Sequence, residues 1–395
     1  MGIALETRAA RLAGDNARWL ELAREVQTRA PEHVDLLISL ARAHAANGSV
    51  EDSLPWLEQA VARGAGFDLF AFPEFKDRAD HDRLRMLASR AAANQAPVSP
   101  AEVFMTIDDA GIRPEGITFD ERSRRLFIGS LNGEIWAVGL DRKMTRFAGA
   151  DHGLREVLGM KVDGRRRLLW AVTGVFPDLF PGPEGPKQDE GLTGVVAFHL
   201  DSGERLRECW LDERPVLHGF NDLALAANGD VYVSDSRAGA IWRLPGGECR
   251  LDKLLEDSRM GFPNGIALSA DDSRLYVAHI EGLSAVDVGT GRRTQLAVPA
   301  NTTVNSMDGL VREGADLIGI QSTPYLARVV RIRLSDDGLA VREATTVSSR
   351  PPPGVNQTTG TVVGMNYYSV AGTIDPLQPG GEGDRRARIL RTELR

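Results

Sequence analysis

The chain reads as an all-β propeller of six blades preceded by a small α-helical segment. A short apolar pattern recurs six times, at EGITFD (from Glu115), LGMKVD (Leu158), NDLALA (Asn221), NGIALS (Asn264), DGLVRE (Asp308) and TGTVVG (Thr359), with starts 43, 63, 43, 44 and 51 residues apart. Each copy is followed by a second apolar run, such as RRLFIGS, GDVYVSDS or SRLYVAH, and usually by a third such as GEIWAVGL or GAIWRL. Self-similarity at a period in the forties, in units of several short strands, is how a propeller reads in sequence. Residues 1 to about 95 follow the helical period instead, which separates a domain at 1–95 from a propeller at 101–395.

In the first domain, apolar positions at helical spacing run through NARWLELAREVQTRA, HVDLLISLARAHAANG, SLPWLEQAVARG and DRLRMLASRAAAN. The first two runs end at Ala30-Pro31 and Asn47-Gly48, both stop signals. Pro55 fits a helix that starts near Ser53, where proline falls in the first turn. Ala41, Ala45 and Ala60, with large neighbours Leu40, Trp56 and Leu57, resemble about one and a half tetratricopeptide units. Such helices either dock a protein partner or cap the next domain. So few repeats favour the cap, because solenoid units need neighbours to bury their faces.

The stretch 94–100 has two prolines and no apolar pattern, and reads as a linker. One strand, AEVFMTI, precedes the first repeat, whereas the last repeat, ending at ARILRTELR, supplies only three strands. The early strand is therefore expected to complete the last blade and close the ring, which removes exposed edges. The 63-residue interval carries an insertion, VFPDLFPGPEGPKQDEG, between the second and third strands of blade 2. It is read as a loop on the face where first strands begin, either a lid over that mouth or a decoration.

At 42% hydrophobic and 26% charged residues, with no run of eighteen apolar residues, the composition is that of a soluble globular protein without a membrane span. A formal charge of -8 argues against nucleic-acid binding, which needs a clustered basic footprint. Cys209 and Cys249 are too few for a disulfide framework and lack metal-binding spacing, so they are expected to be buried thiols or surface bystanders. MGIALETRAARLAG lacks the apolar core of a secretory signal, which leaves a cytoplasmic location and a periplasmic or secreted one both open. There is no G-x-S-x-G elbow, Walker lysine motif or G-x-G-x-x-G after a strand.

Four repeats place an oxygen-bearing side chain at one register: Glu115, Asn221, Asn264 and Asp308. Singly, each reads as turn chemistry or an ordinary exposed acid. Together they converge, because the first strand of every blade lines the channel and its opening residues meet at one mouth. Two carboxylates and two amide oxygens suit one hard divalent cation, Ca²⁺ first, with Mg²⁺, Mn²⁺ or Zn²⁺ as alternatives. Because Ca²⁺ takes roughly 6 to 8 oxygens, positions would remain for water and substrate.

The PEG of Glu115, the FND of Asn221, the PNG of Asn264 and the DG of Asp308 resemble the four-ligand pattern of the gluconolactonase (senescence-marker-protein, or regucalcin) family. The resemblance covers about 101–395 and implies a six-bladed propeller with one catalytic metal on those four residues, acting on a small lactone or ester. It also assigns Asp308 the catalytic role, as general base for water or as nucleophile. Leu158 stands where the related paraoxonases place a histidine, so their histidine dyad does not carry over. Leu158 and Thr359 at the same register, with Asp235 and His279 at the ends of second strands, are assigned to the substrate. Asp235 is read either as a ligand-binding group or as the cap of the DSRAG turn. His152 and His218, like His279, are weighed as proton shuttles or bystanders. The rival reading is a binding propeller with a structural ion and a partner on the helices.

Overall fold

The computed structural model describes residues 2–109, 111–176, 188–352, 356–372 and 386–394. Five helices come first: α1 (Gly2–Ala13), α2 (Asn16–Arg29), α3 (Val34–Ala46), α4 (Val50–Ala62) and α5 (Asp82–Ala93). Asp15 caps α2 by accepting from Arg18 N. Gly48 ends α3 with a left-handed φ of 83°. The expectation for Pro55 is corrected: α4 begins at Val50, so the proline lies inside the helix. Glu51 and Asp52 in the first turn favour the earlier start. The carbonyl that the proline leaves without an amide belongs to Glu51, an exposed residue of the first turn.

Six four-stranded antiparallel sheets follow, one per repeat. Their inner strands are Pro114–Asp120, Glu156–Asp163, Phe220–Leu225, Ile266–Leu268, Met307–Glu313 and Asn356–Val363. The strand Glu102–Thr106 pairs with Arg388–Glu393 and becomes the outer strand of blade 6, so the ring closes. The propeller core is a ring of six apolar clusters, each shared by two adjacent blades. Strand alternation explains this: in Leu168–Gly174, Trp170 and Val172 pack towards blade 3 while Leu169 and Ala171 pack towards blade 1.

The helices have their own core, which also takes in Leu326 and Tyr325 of blade 5. Val98 and Ser349 exchange two hydrogen bonds, Val98 N to Ser349 Oγ and Ser349 N to Val98 O, both at 2.9 Å. The α2–α3 turn reaches the mouth face, where Ser306 Oγ lies 2.5 Å from His33 Nε2. Among the described residues no helix is long and apolar enough to cross a membrane.

The cysteines are not thiols. Cys209, on the outer strand of blade 2, is bonded to Cys249, on the loop before the outer strand of blade 3, with Cα atoms 5.2 Å apart. Their separation of 40 residues is close to one blade period, and a step of one period carries a residue to the neighbouring blade. The blade-2 insertion falls largely on residues 177–187, outside the described residues.

Candidate metal centre

The inner strands break register at their mouth ends. Pairing with the second strand shifts between Pro114 and Gly116, Val157 and Met160, Phe220 and Leu223, Met307 and Leu310, and Gln357 and Gly360. Each bulge contains the recurrent position, and in blade 4 the strand starts only after Asn264. A bulge re-aims a side chain, which fits a site built from six strand ends.

Glycines let these ends crowd together. A Cβ on Gly116 would lie 2.0 Å from Leu158 O, one on Gly265 2.4 Å from Asp308 O, and one on Gly309 2.7 Å from Thr359 Cα. Thr359 Oγ1 donates to Glu115 O at 2.6 Å, joining blade 6 to blade 1. Phe262 and Ser306, each two residues before a recurrent polar residue, hold left-handed φ of 54° and 51°. Non-glycine residues adopt that conformation at a cost and are concentrated at functional sites.

Three of the four predicted ligands interact directly. The Glu115 carboxyl is pushed well above the usual carboxylate range, first by burial and then by the Asp308 charge, against Arg113 and a hydrogen bond from Thr358. Asp308 is pushed up to about 7 by burial; the Asn264 amide, hydrogen-bonded to it, pulls down, and the Asp222 charge adds to the rise. Asn221 sits at the same register and donates its amide nitrogen to Ser236 Oγ at 3.0 Å, which turns its oxygen the other way.

Three buried polar atoms here have no hydrogen-bond partner: Glu115 Oε2, Asn264 Oδ1 and Tyr367 Oη. Tyr367 is fully buried beneath Gly360, and its hydroxyl feels the charges of Asp222 and Asp308. Orphaned buried acceptors are rare and ask for a partner. Oxygens beside two acids that resist ionising together fit a cation. Among the described residues no group of three or more His, Cys, Asp or Glu could hold a metal, so an ion here would depend on the two amide oxygens.

The other predicted residues are placed differently. Leu158 is buried in the cluster between blades 2 and 3. The Thr359 hydroxyl is turned to the backbone of Glu115. Asp235 is fully buried and accepts from Gly219 N, Arg237 N, Ala238 N and Trp242 Nε1, with His218 Nδ1 at 2.6 Å. Its oxygens are occupied by the DSRAG turn and that histidine. Burial works to lower the His218 pKa, but the hydrogen bonds and charges of Asp235 and Glu213 carry it upward. His279 is 1% exposed, bonded to Ser284 Oγ at 2.8 Å, and pushed down to about 3 by burial and then Arg293. It is a neutral core histidine, not a group at the mouth. His152 lies half-buried beside Asp151.

Sequence reading passed over several groups. Asp222 is 2% exposed, pairs with Lys161 of blade 2 at 2.9 Å and accepts from Ile266 N. The signal was a second polar residue after Asn221 and a lysine inside an otherwise apolar strand. Thr358 and Tyr367 left no mark beyond strand composition. Phe176, the first flank of the insertion, meets Phe262, two residues before Asn264, with ring centroids 6.3 Å apart.

Neither a family model nor a curated protein matches the sequence. Solved structures do resemble the fold. A calcium-binding protein, regucalcin, from Agrobacterium tumefaciens aligns with a TM-score of 0.54 at 16% identity, over 76% of this chain and 97% of that one. The PQQ-bound aldose sugar dehydrogenase from Streptomyces coelicolor gives 0.52 at 15%, over 75% and 99%. A putative oxidoreductase (glucose dehydrogenase) from Thermus thermophilus gives 0.50 at 13%, over 74% and 99%. At these identities the likeness is one of fold.

Proposed function

We propose that this propeller is a divalent-metal-dependent hydrolase that opens a lactone, of a sugar acid or a related compound, or cleaves a related ester. The observation that carries the reading is the pair of buried, unpartnered oxygens, Glu115 Oε2 and Asn264 Oδ1, beside two acids that burial and mutual repulsion keep from ionising together. Glu115, Asn221, Asn264 and Asp308 would hold the ion. Calcium stands first because every donor is a hard oxygen, and the regucalcin neighbour is itself a calcium-binding protein. When bound, the ion supplies a Lewis acid for the ester carbonyl and balances the two carboxylates.

The chain's own residues divide the remaining work. Asp308 takes the proton of the attacking water as general base. The Asn264 amide bonds the Asp308 carboxyl and holds it in place. Thr358 and Thr359 donate their hydroxyls to the Glu115 backbone carbonyl at 3.0 and 2.6 Å, which fixes the strand end that carries this acid. The paired rings of Phe176 and Phe262, on the chain leading to Asn264, would offer an apolar surface for the carbon frame of a lactone. The tetratricopeptide-like helices act as a cap on blade 5. The disulfide between blades 2 and 3 favours an oxidising compartment.

The test is metal content of the purified full chain, together with proton release from a panel of sugar-acid and aliphatic lactones before and after chelation. One ion per chain and chelator-sensitive ring opening are expected. A full complement of metal with no turnover of any lactone or ester would instead favour a binding propeller with a structural ion. Absence of a bound divalent ion under saturating conditions would remove the reading altogether.

A further inference from the structure

The helices and blade 5 form a half-open cavity of about 420 Å³, lined by α1, α2, α3 and the mouth-side loop that carries Tyr325. That volume lies within the range of sites for a single small organic molecule. Its two ends differ in chemistry.

At one end stand Arg11 and Arg42. Arg42 is already engaged: Nε and Nη2 bond the Glu74 carboxylate at 3.0 and 3.1 Å, and its guanidinium lies 4.5 Å from the centre of the Phe72 ring. Arg11 is half-buried and has no ion pair among the described residues. Burial, then the nearby Arg42 charge, weakens its hold on its proton, and the Glu74 carboxylate and Tyr325 act against them. A partly desolvated guanidinium with an unfilled fork attracts a carboxylate.

The other end holds Asp35, whose Oδ1 is shut from solvent and has no hydrogen-bond partner. Burial pushes its pKa up, against the charge of His33, whose Nδ1 is likewise buried without a partner, and a hydrogen bond from Thr323 of blade 5. A buried acceptor left open calls for a donor. Trp19, 2% exposed, and Leu36 give an apolar lining, with the Trp19 indole held by a bond from Nε1 to Ser39 Oγ at 3.3 Å.

We propose that this cavity is a second ligand site, separate from the channel, for a small carboxylic acid that carries a hydroxyl or ammonium group across an apolar body. The carboxylate pairs with Arg11, the donor meets Asp35 Oδ1, and the body lies against Trp19. The site does not depend on the metal reading, since none of its residues belongs to the channel.

Equilibrium dialysis and ligand-induced thermal shifts on the full chain test this, using 3-phenyllactate and phenylalanine as two-ended probes. Phenylpropionate and phenethylamine serve as one-ended controls. Wild-type protein should bind at least one two-ended probe saturably, with and without chelator, and the better of the two identifies the donor. The one-ended compounds should bind more weakly by about tenfold or more, the worth of one charge-assisted hydrogen bond. Arg11→Gln and Asp35→Asn should each weaken the bound probe by a similar factor, with circular dichroism unchanged. If Asp35→Asn fails to fold, Arg11→Gln on the peripheral helix α1 decides alone. The proposal is overturned if neither two-ended probe binds, if chelation abolishes binding, or if folded Arg11→Gln binds as wild type does.

Discussion

Asp308→Asn separates three roles that one carboxylate holds: ligand, base and buried like charge. In the metal-free chain the Asp308 pKa rises from an ordinary 3.8 to about 7. A folded pKa above the unfolded one means that ionisation is resisted in the native state. Stability is therefore intact below about pH 4 and is lost as pH rises through the folded value. At about 1.4 kcal/mol per pH unit, the difference at pH 7 comes to about 4 kcal/mol, an upper figure because Glu115 shares the strain. A neutral asparagine of the same shape should recover much of it, so chelated Asp308→Asn should resist urea better than chelated wild type at pH 7. The advantage should vanish near pH 4. With the site saturated by Ca²⁺ the order should reverse, because the ion binds a carboxylate better than an amide. Turnover at full occupancy should then fall by about 10²- to 10⁴-fold, the usual loss when a positioned base is removed. Asn221→Asp should spare the base and mainly change metal affinity. Near-wild-type turnover by fully loaded Asp308→Asn would reduce Asp308 to a ligand and move the base elsewhere. Equal stability of the chelated proteins at pH 7 would refute the buried repulsion itself.

Two further outcomes test the scaffold. A chain that begins at Ala101 should fold as a closed ring, since the closing strand Glu102–Thr106 is retained, but it should be less stable by about 2–3 kcal/mol because Leu326 loses its cover; an insoluble product would make the helices part of the propeller core. His279, pushed down to about 3 from 6.5, contributes stability that is present above pH 6.5 and lost as pH falls towards 3. Between pH 6.5 and 5 wild type should lose about 2 kcal/mol more than His279→Asn, and parallel urea midpoints over that range would show that the imidazole is hydrated.

The blades, their number and the closing strand were legible because each blade repeats one problem: an inner strand buried on both faces, a turn, and outer strands that alternate. The register of Glu115, Asn221, Asn264 and Asp308 was legible for the same reason. What one sequence could not display was contact between blades. The Cys209–Cys249 bond and the Asp222–Lys161 pair both arise where neighbouring blades meet around the ring. Local periodicity carries no mark of such meetings. The fate of Asp235 and His279 was hidden similarly, because a polar residue at a strand end reads alike whether it faces the mouth or lies in the wall beside it. Helix α1 left only a weak pattern, and Pro55 was placed by the rule for first turns although α4 begins at Val50 and carries it further in.

The choice of two amides and two acids at the mouth has a physical consequence that four acids would not share. A carboxylate that binds a cation has no donor of its own, so it must be oriented from outside, as Asn264 orients Asp308. An asparagine anchors itself: Asn221 fixes its nitrogen on Ser236, and Asn264 fixes its nitrogen on Asp308, which leaves each oxygen aimed elsewhere. Two negative charges balance one divalent ion, whereas four would hold it tightly but blunt its pull on a carbonyl oxygen. The same arrangement makes the metal-free chain tolerable, since two buried acids can share protons where four would repel beyond what burial of the blades offsets. On the proposed reading, a donor set of this kind would favour an ion that binds reversibly and stays electrophilic, as a hydrolase needs and a purely structural site does not.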